Sequence, residues 1–256
     1  MRPLLVLIQK ELRTYFASPV AYVVGAVFLL ISGFLYYSIV TIVARQSLQF
    51  LQFQGFTPQF SINEMILRPT YRNMTVILVL IAPLLTMRLF AEEKKAGTME
   101  LLMTSPVSIT TLVAGKYLAA LILYLLMLGL TAYMPILMAL FGSVEWGPIL
   151  SGYLGLFLIG AVFIAIGLFA STVTENQIIA ASVAFGLLLV FWLLGWAAMS
   201  AGSTGLGQVL AYLSLFEHLD NFMKGVVDAA DITYFVSLIT FGLFLAHRVV
   251  ESRRWA

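Results

Sequence analysis

Apolar residues run in long blocks along this chain, and the charges that interrupt them mark six candidate membrane crossings. A spanning helix needs about 20 apolar residues to cross about 30 Å of hydrocarbon. Pro19 to Ala44 carries no charge. Arg72 and Arg88 bracket a shorter run, Asn73 to Met87, which suffices when both arginines snorkel toward the head groups. Tyr117 to Val144 and Trp146 to Thr174 are uncharged, and Glu145 lies between them in the turn-like stretch from Gly142 to Pro148. Asn176 to Met199 is the fifth run. Ile232 to Ala246, closed by His247 and Arg248, is the sixth. The pattern predicts spanning helices over 19–44, 72–90, 112–141, 149–173, 177–199 and 231–249, in one transmembrane domain covering 1–256. These runs are too long and continuous for a membrane β-barrel, whose strands alternate over about 10 residues. The expected fold class is therefore all-α integral membrane.

The segments between crossings have patterns of their own. In 1–17, Leu4, Leu5, Ile8, Leu12, Tyr15 and Phe16 recur at helical spacing, with Arg2, Gln9, Lys10 and Arg13 between them. This predicts an amphipathic interfacial helix, and a simple basic anchor is the alternative. Ser18-Pro19 then turns the chain into the membrane. Arg45 to Arg72 reads as a loop carrying Gln46, Gln49, Gln52 and Gln54, with no nucleophile or metal constellation. Arg88 to Lys116 holds the densest charge cluster, Glu92, Glu93, Lys94 and Lys95. Gly97 interrupts helix there, Thr98 is a suitable N-cap and Glu100 suits the positive helix end. Leu101, Leu102 and Met103 form an apolar patch ahead of Pro106, which stops the helix. Such a patch either meets a partner or dips into the interface. Ser171 to Gln177 is a short polar turn, read either as a plain connection or as a second contact for the same partner. After the Ser200–Gly205 loop, apolar residues recur through 206–228, predicting one or two amphipathic helices, with Asp220 and Lys224 paired at i,i+4. His218, on a polar helix face beside an acidic cluster, is expected to be solvated, with a cation site the alternative.

Composition sharpens this picture. Of 256 residues, 61% are hydrophobic and 10% charged, against about 25% charged in soluble domains. That excludes an ordinary soluble enzyme, a disordered tail and a nucleic-acid binder, and a net charge of +2 gives no footing for a polyanion. With no cysteine there is neither a disulfide framework nor a thiolate metal site. Ten Lys and Arg fall on the side of the termini (Arg2, Lys10, Arg13, Arg88, Lys94, Lys95, Lys116, Arg248, Arg253 and Arg254). Four fall on the other (Arg45, Arg68, Arg72 and Lys224). This places both termini in the cytoplasm.

The crossings read as nearly free of ionisable groups, which argues against an ion-coupled carrier and an intramembrane hydrolase. Gly160 and Gly167 offer a close-packing face instead. The chain has no phosphate-cradling Gly-x-x-x-x-Gly-Lys-Ser/Thr; Gly115-Lys116 lacks the rest of it. No catalytic or metal-binding residue is therefore expected. Any ATP drive comes from a separate subunit, for which the loop from Glu92 to Pro106 is the natural dock.

At that loop the chain resembles a known class. Thr86 to Leu102, reading TMRLFAEEKKAGTMELL, followed by Thr104-Ser105-Pro106, is similar to the coupling segment of ABC-2 transporter membrane subunits. Lys10-Glu11-Leu12-Arg13 with Ser18-Pro19 resembles their elbow segment, and Thr174-Glu175-Asn176-Gln177 their second cytoplasmic turn. Tyr212 to His218 through Gly225 resembles their external amphipathic stretch, and Glu251 to Trp255 a common ending. The likeness covers essentially the whole chain and is nearest to the gliding-motility-associated, GldF-like branch.

The resemblance implies a permease subunit with no enzyme activity of its own. It further implies a place in the bacterial inner membrane, a homo- or heterodimer of membrane subunits, and two ATPase subunits below that bind Mg-ATP. A large extracytoplasmic partner is a further possibility in the gliding branch. Arg88, Glu92 to Lys95, Gly97, Thr98 and Glu100 to Pro106 would couple to the ATPase, together with Thr174 to Gln177 and the elbow residues Lys10, Glu11 and Arg13. The alternative implied function is a scaffold that passes ATPase movement to an external partner without transport.

Overall fold

The computed structural model describes residues 2–54, 61–100, 107–142, 144–202 and 204–252. The amphipathic start of the chain forms α1 (Arg2–Ala17). Ser18 ends it: its N–H bonds the Tyr15 carbonyl, and its hydroxyl accepts from the Val20 N–H at 3.3 Å. Pro19 opens α2 (Pro19–Gln54), where a missing N–H is harmless. A π-helical turn, Asn63–Leu67, leads into α3 (Arg68–Thr86). Pro83 removes a hydrogen bond within α3, and the helix breaks at Met87 before resuming as α4 (Arg88–Lys95). Next come α5 (Ile109–Leu130), capped by the Ser108 hydroxyl, and α6 (Tyr133–Phe141), which continues it after a turn. Then follow α7 (Trp146–Val173), α8 (Gln177–Ala201), the short α9 (Gly205–Leu213) and α10 (Leu215–Met223), and α11 (Ala229–Ser252).

Among the described residues six helical stretches are long and apolar enough to span a bilayer: Pro19–Gln49, Asn63–Lys95, Ile109–Phe141, Trp146–Val173, Gln177–Ala201 and Ala229–Ser252. The fold is an all-α integral membrane bundle. The second stretch, Asn63–Lys95, extends beyond 72–90 at both ends.

The bundle is built around α7, whose span is 78% buried, while that of α8 is only 17% buried. Small residues make this possible. A Cβ on Gly160 would lie 2.3 Å from the Tyr124 ring of α5, and one on Gly167 would lie 2.1 Å from the Thr86 hydroxyl oxygen of α3. Glycine at these two points lets three helices close on one another. The outward face of α8 remains apolar, with Ile178, Trp196 and Met199 exposed, as suits lipid or another membrane chain.

At the end of the bundle away from the termini, α9 and α10 fold back against the spans. Arg68 grips the Asp220 carboxylate through two nitrogens, with contacts of 2.6, 2.8 and 3.1 Å, and Lys224 pairs with the same group at 2.7 Å. Burial pushes the Asp220 carboxyl up, but its hydrogen bonds and charge contacts with Lys224 and Arg68 outweigh this and hold it below its ordinary 3.8. The solvated His218 expected from sequence is overturned. His218 is buried, its Nδ1 lies 2.5 Å from Asp231 and its Nε2 lies 2.9 Å from the Tyr212 carbonyl. Asp231, at the start of α11, supplies the partner that sequence spacing did not reveal.

Candidate functional site

At the end of the bundle that carries the termini, charge has been drawn inward. Lys116 lies in the second turn of α5 and is only 1% exposed. Its ammonium is 2.8 Å from Glu93 on α4 and 3.1 Å from Glu11 on α1. Lys10 closes the group from the surface, 3.2 Å from Glu93 and 3.4 Å from Glu11. Two cations and two anions thus neutralise one another across three helices. A buried charge without such partners would be strongly disfavoured. Burial works against the Lys10 charge, yet the Glu11 and Glu93 carboxylates outweigh it and hold the ammonium above the usual lysine range. A cavity of about 220 Å³ lies beside this cluster, with Arg88 and Glu92 in its wall.

The same short helix is held from other sides. The Arg88 guanidinium stacks 4.7 Å over the Tyr15 ring, and the Tyr15 hydroxyl donates to the Leu85 carbonyl at 2.7 Å. Ser171, near the end of α7, fills the break between α3 and α4. Its oxygen accepts from the N–H groups of Phe90 and Ala91 at 2.9 and 3.1 Å, and its hydroxyl donates to the Met87 carbonyl at 3.1 Å. These are N–H groups that a helix start leaves without intrahelical partners. Lys94 donates to the Thr172 carbonyl. Gly97, at φ 67°, then turns the chain out of α4 in a conformation that favours glycine.

Beyond Lys94 the surface opens. Exposed Lys95 borders a recess of about 490 Å³ whose other wall is the turn from α7 to α8: Glu175, Asn176, Gln177 and Ile178. That turn is braced locally. The Thr174 hydroxyl accepts from the Asn176 N–H at 3.1 Å, and the Asn176 carboxamide oxygen caps α8 through the Ile178 N–H at 2.9 Å. Ile178 itself is 75% exposed. Charged rims with an apolar side chain between them make a surface suited to a protein partner.

The family model described as ABC-2 family transporter protein matches residues 5–250, nearly the full chain. This chain belongs to the ABC-2 transporter family. It is therefore a multi-pass membrane subunit, the permease part of an ABC transporter and not its P-loop ATPase. Among curated proteins no sequence match is found.

The ABC-2 subunit distributes the residues singled out from sequence over several settings. Glu92, Lys95, Glu100, Glu175, Asn176 and Arg13 are exposed. Lys10, Glu11 and Glu93 join the ion cluster, while Arg88, Lys94, Gly97 and Thr174 shape the local backbone. Gln177 is half-buried at the recess, and Thr98 bonds back to the Glu93 carbonyl, with a helical turn resuming at Met99. Leu101, Leu102, Met103, Thr104 and Pro106 lie outside the described residues. Sequence reasoning missed Lys116, Tyr15 and Ser171 as working parts. Lys116 did carry a signal: a lysine inside the apolar run of 112–141 requires a counter-charge, and Glu11 and Glu93 are the carboxylates that supply it. Crossings nearly free of ionisable groups were the expectation, and Lys116, close to the start of α5, is a buried charge at the end of one of them.

Proposed function

We propose that the recess between Lys95 and the Glu175–Ile178 turn receives a separate ATPase subunit, and that this ABC-2 permease subunit converts the ATPase cycle into movement of a substrate. One observation carries the reading: Lys95 and the Glu175–Ile178 turn, about 80 residues apart and each within a stretch resembling an ATPase contact, line a single open recess. In this reading the recess and both termini face the cytoplasm, in keeping with the ten-to-four division of Lys and Arg.

The local architecture supports a lever. A load applied at Lys95 or Glu175 meets α4 and the α7–α8 turn together. The Ser171 and Lys94 contacts join α4 to α7, and the ion cluster joins α4 to α1 and α5. The end of the bundle would then move as one body, with Mg-ATP chemistry confined to the partner. The exposed apolar faces of α2 and α8 favour a second membrane subunit alongside, with the substrate path between the two. Within the family, the summed matches at Glu92–Glu100, Thr174–Gln177 and Tyr212–Gly225 favour the gliding-motility-associated branch, where an extracytoplasmic partner is an added expectation.

Co-purification with co-expressed candidate ATPases tests this reading. Lys95→Glu with Ile178→Asp is expected to abolish recovery of a stoichiometric ATPase while leaving the permease folded in detergent. Undiminished recovery with both changes in place places the dock elsewhere and overturns the reading.

A further inference from the structure

A second recess, of about 400 Å³, opens at the opposite end of the bundle between α3, α8 and α10. Its walls include Arg68, Arg72, Trp192, Trp196, Glu217 and Asp220. The charges in it are not equivalent. Arg68 and Asp220 are spent on each other, with Lys224 on the same carboxylate. Arg72 and Glu217 are both exposed, and neither has an ion-pair or hydrogen-bond partner among the described residues. An uncommitted guanidinium and an uncommitted carboxylate thus line one cavity without pairing to each other.

Depth in the membrane narrows the ligand. Arg72 and Arg88 stand sixteen residues apart on nearly continuous helix, which is about 24 Å of rise, close to the hydrocarbon thickness. Arg72 therefore lies at a hydrocarbon boundary. The Trp192 and Trp196 rings, 5.4 Å apart, share that level, as indoles do at a bilayer interface. Below them the wall becomes apolar at Val76, as an acyl chain requires. A single ligand that meets both free charges carries an anion and a cation, together with a hydrocarbon tail.

We propose that this recess binds one phospholipid with an amine-bearing headgroup, its phosphate on Arg72 and its ammonium on Glu217. The Trp192–Trp196 pair forms the wall against which the glycerol region packs. The site needs neither the ATPase nor the recess at the other end of the bundle.

Native mass spectrometry of the purified subunit, released from nanodiscs of equal phosphatidylethanolamine and phosphatidylglycerol, reads the site directly. One phosphatidylethanolamine should stay with each chain. Arg72→Gln should lower its retention about tenfold, the scale of one charge-assisted contact. Arg72→Lys should retain it, and Arg45→Gln, a change to an exposed arginine outside the recess, should have no effect. Glu217→Gln should remove the preference for phosphatidylethanolamine over phosphatidylglycerol while keeping a bound lipid. Soluble phosphoethanolamine should fail to displace it. Equal retention of both lipids by the unaltered chain, equal loss on Arg45→Gln, or displacement by soluble phosphoethanolamine would overturn the assignment.

Discussion

Lys116 and Glu93 meet at 2.8 Å with the lysine almost wholly removed from solvent. Removing one member of a buried ion pair leaves the other uncompensated, at a cost of about 3–5 kcal/mol. Here Lys10 still reaches both carboxylates, so the lower end of that range applies to Lys116→Met. We expect a clear fall in the apparent thermal midpoint in detergent. Adding Glu93→Gln and Glu11→Gln to the same chain should recover much of it, because the buried charges then vanish together. A triple variant less stable than Lys116→Met would show that the cluster acts through something other than charge balance.

Ser171 predicts a different kind of damage. Ser171→Ala keeps the volume but strips the acceptor from the Phe90 and Ala91 N–H groups. The expected destabilisation is about 1–3 kcal/mol. It should be concentrated at α4, and hydrogen exchange at 90–95 measures it against exchange in α11. Uniform exchange through both helices would contradict the role given to Ser171.

Gly160 and Gly167 set the distance between α7 and its neighbours. An alanine at 160 must displace the fully buried Tyr124 ring, whose hydroxyl donates to the Leu156 carbonyl at 2.6 Å. Overpacking of this kind costs about 1–3 kcal/mol. Gly186 lies in open space and serves as the control. We expect Gly160→Ala to lower the thermal midpoint and Gly186→Ala to leave it within error.

Asp220 gives the far end of the bundle an acid limit. Its carboxyl is held below its ordinary value of 3.8 in the folded chain. The Arg68–Asp220–Lys224 contacts therefore contribute fully above that value and fade as pH falls through the lower, folded one. Stability measured below pH 4 should drop more steeply in the unaltered chain than in Asp220→Asn. Parallel slopes would remove Asp220 from the account.

Much of this was legible in sequence because a bilayer imposes its own period. Uncharged runs bounded by Arg72, Arg88, Glu145 and Arg248 mark six spans, and 3.6-residue spacing marks α1 and the helices after α8. Asp220 and Lys224 pair as their i,i+4 spacing predicts. What escaped depends on long-range contact. Glu11, Glu93 and Lys116 are scattered over more than 100 residues, and His218 finds Asp231 only after α10 folds against α11. Glu93 and Glu92 are adjacent and chemically alike, yet a helix turns one inward and leaves the other exposed. The recess beside Lys95 has the same origin, since its two walls are about 80 residues apart in sequence until the bundle closes.

The most direct test of the account places a photo-crosslinking residue at Ile178 in cells that express the whole transporter. The account predicts a crosslink to a protein that carries a nucleotide-binding P-loop, lost when Lys95→Glu is added and absent from the same probe at Phe141. A probe at Ile178 that captures only lipid, while Phe141 or another position yields the ATPase, would contradict it.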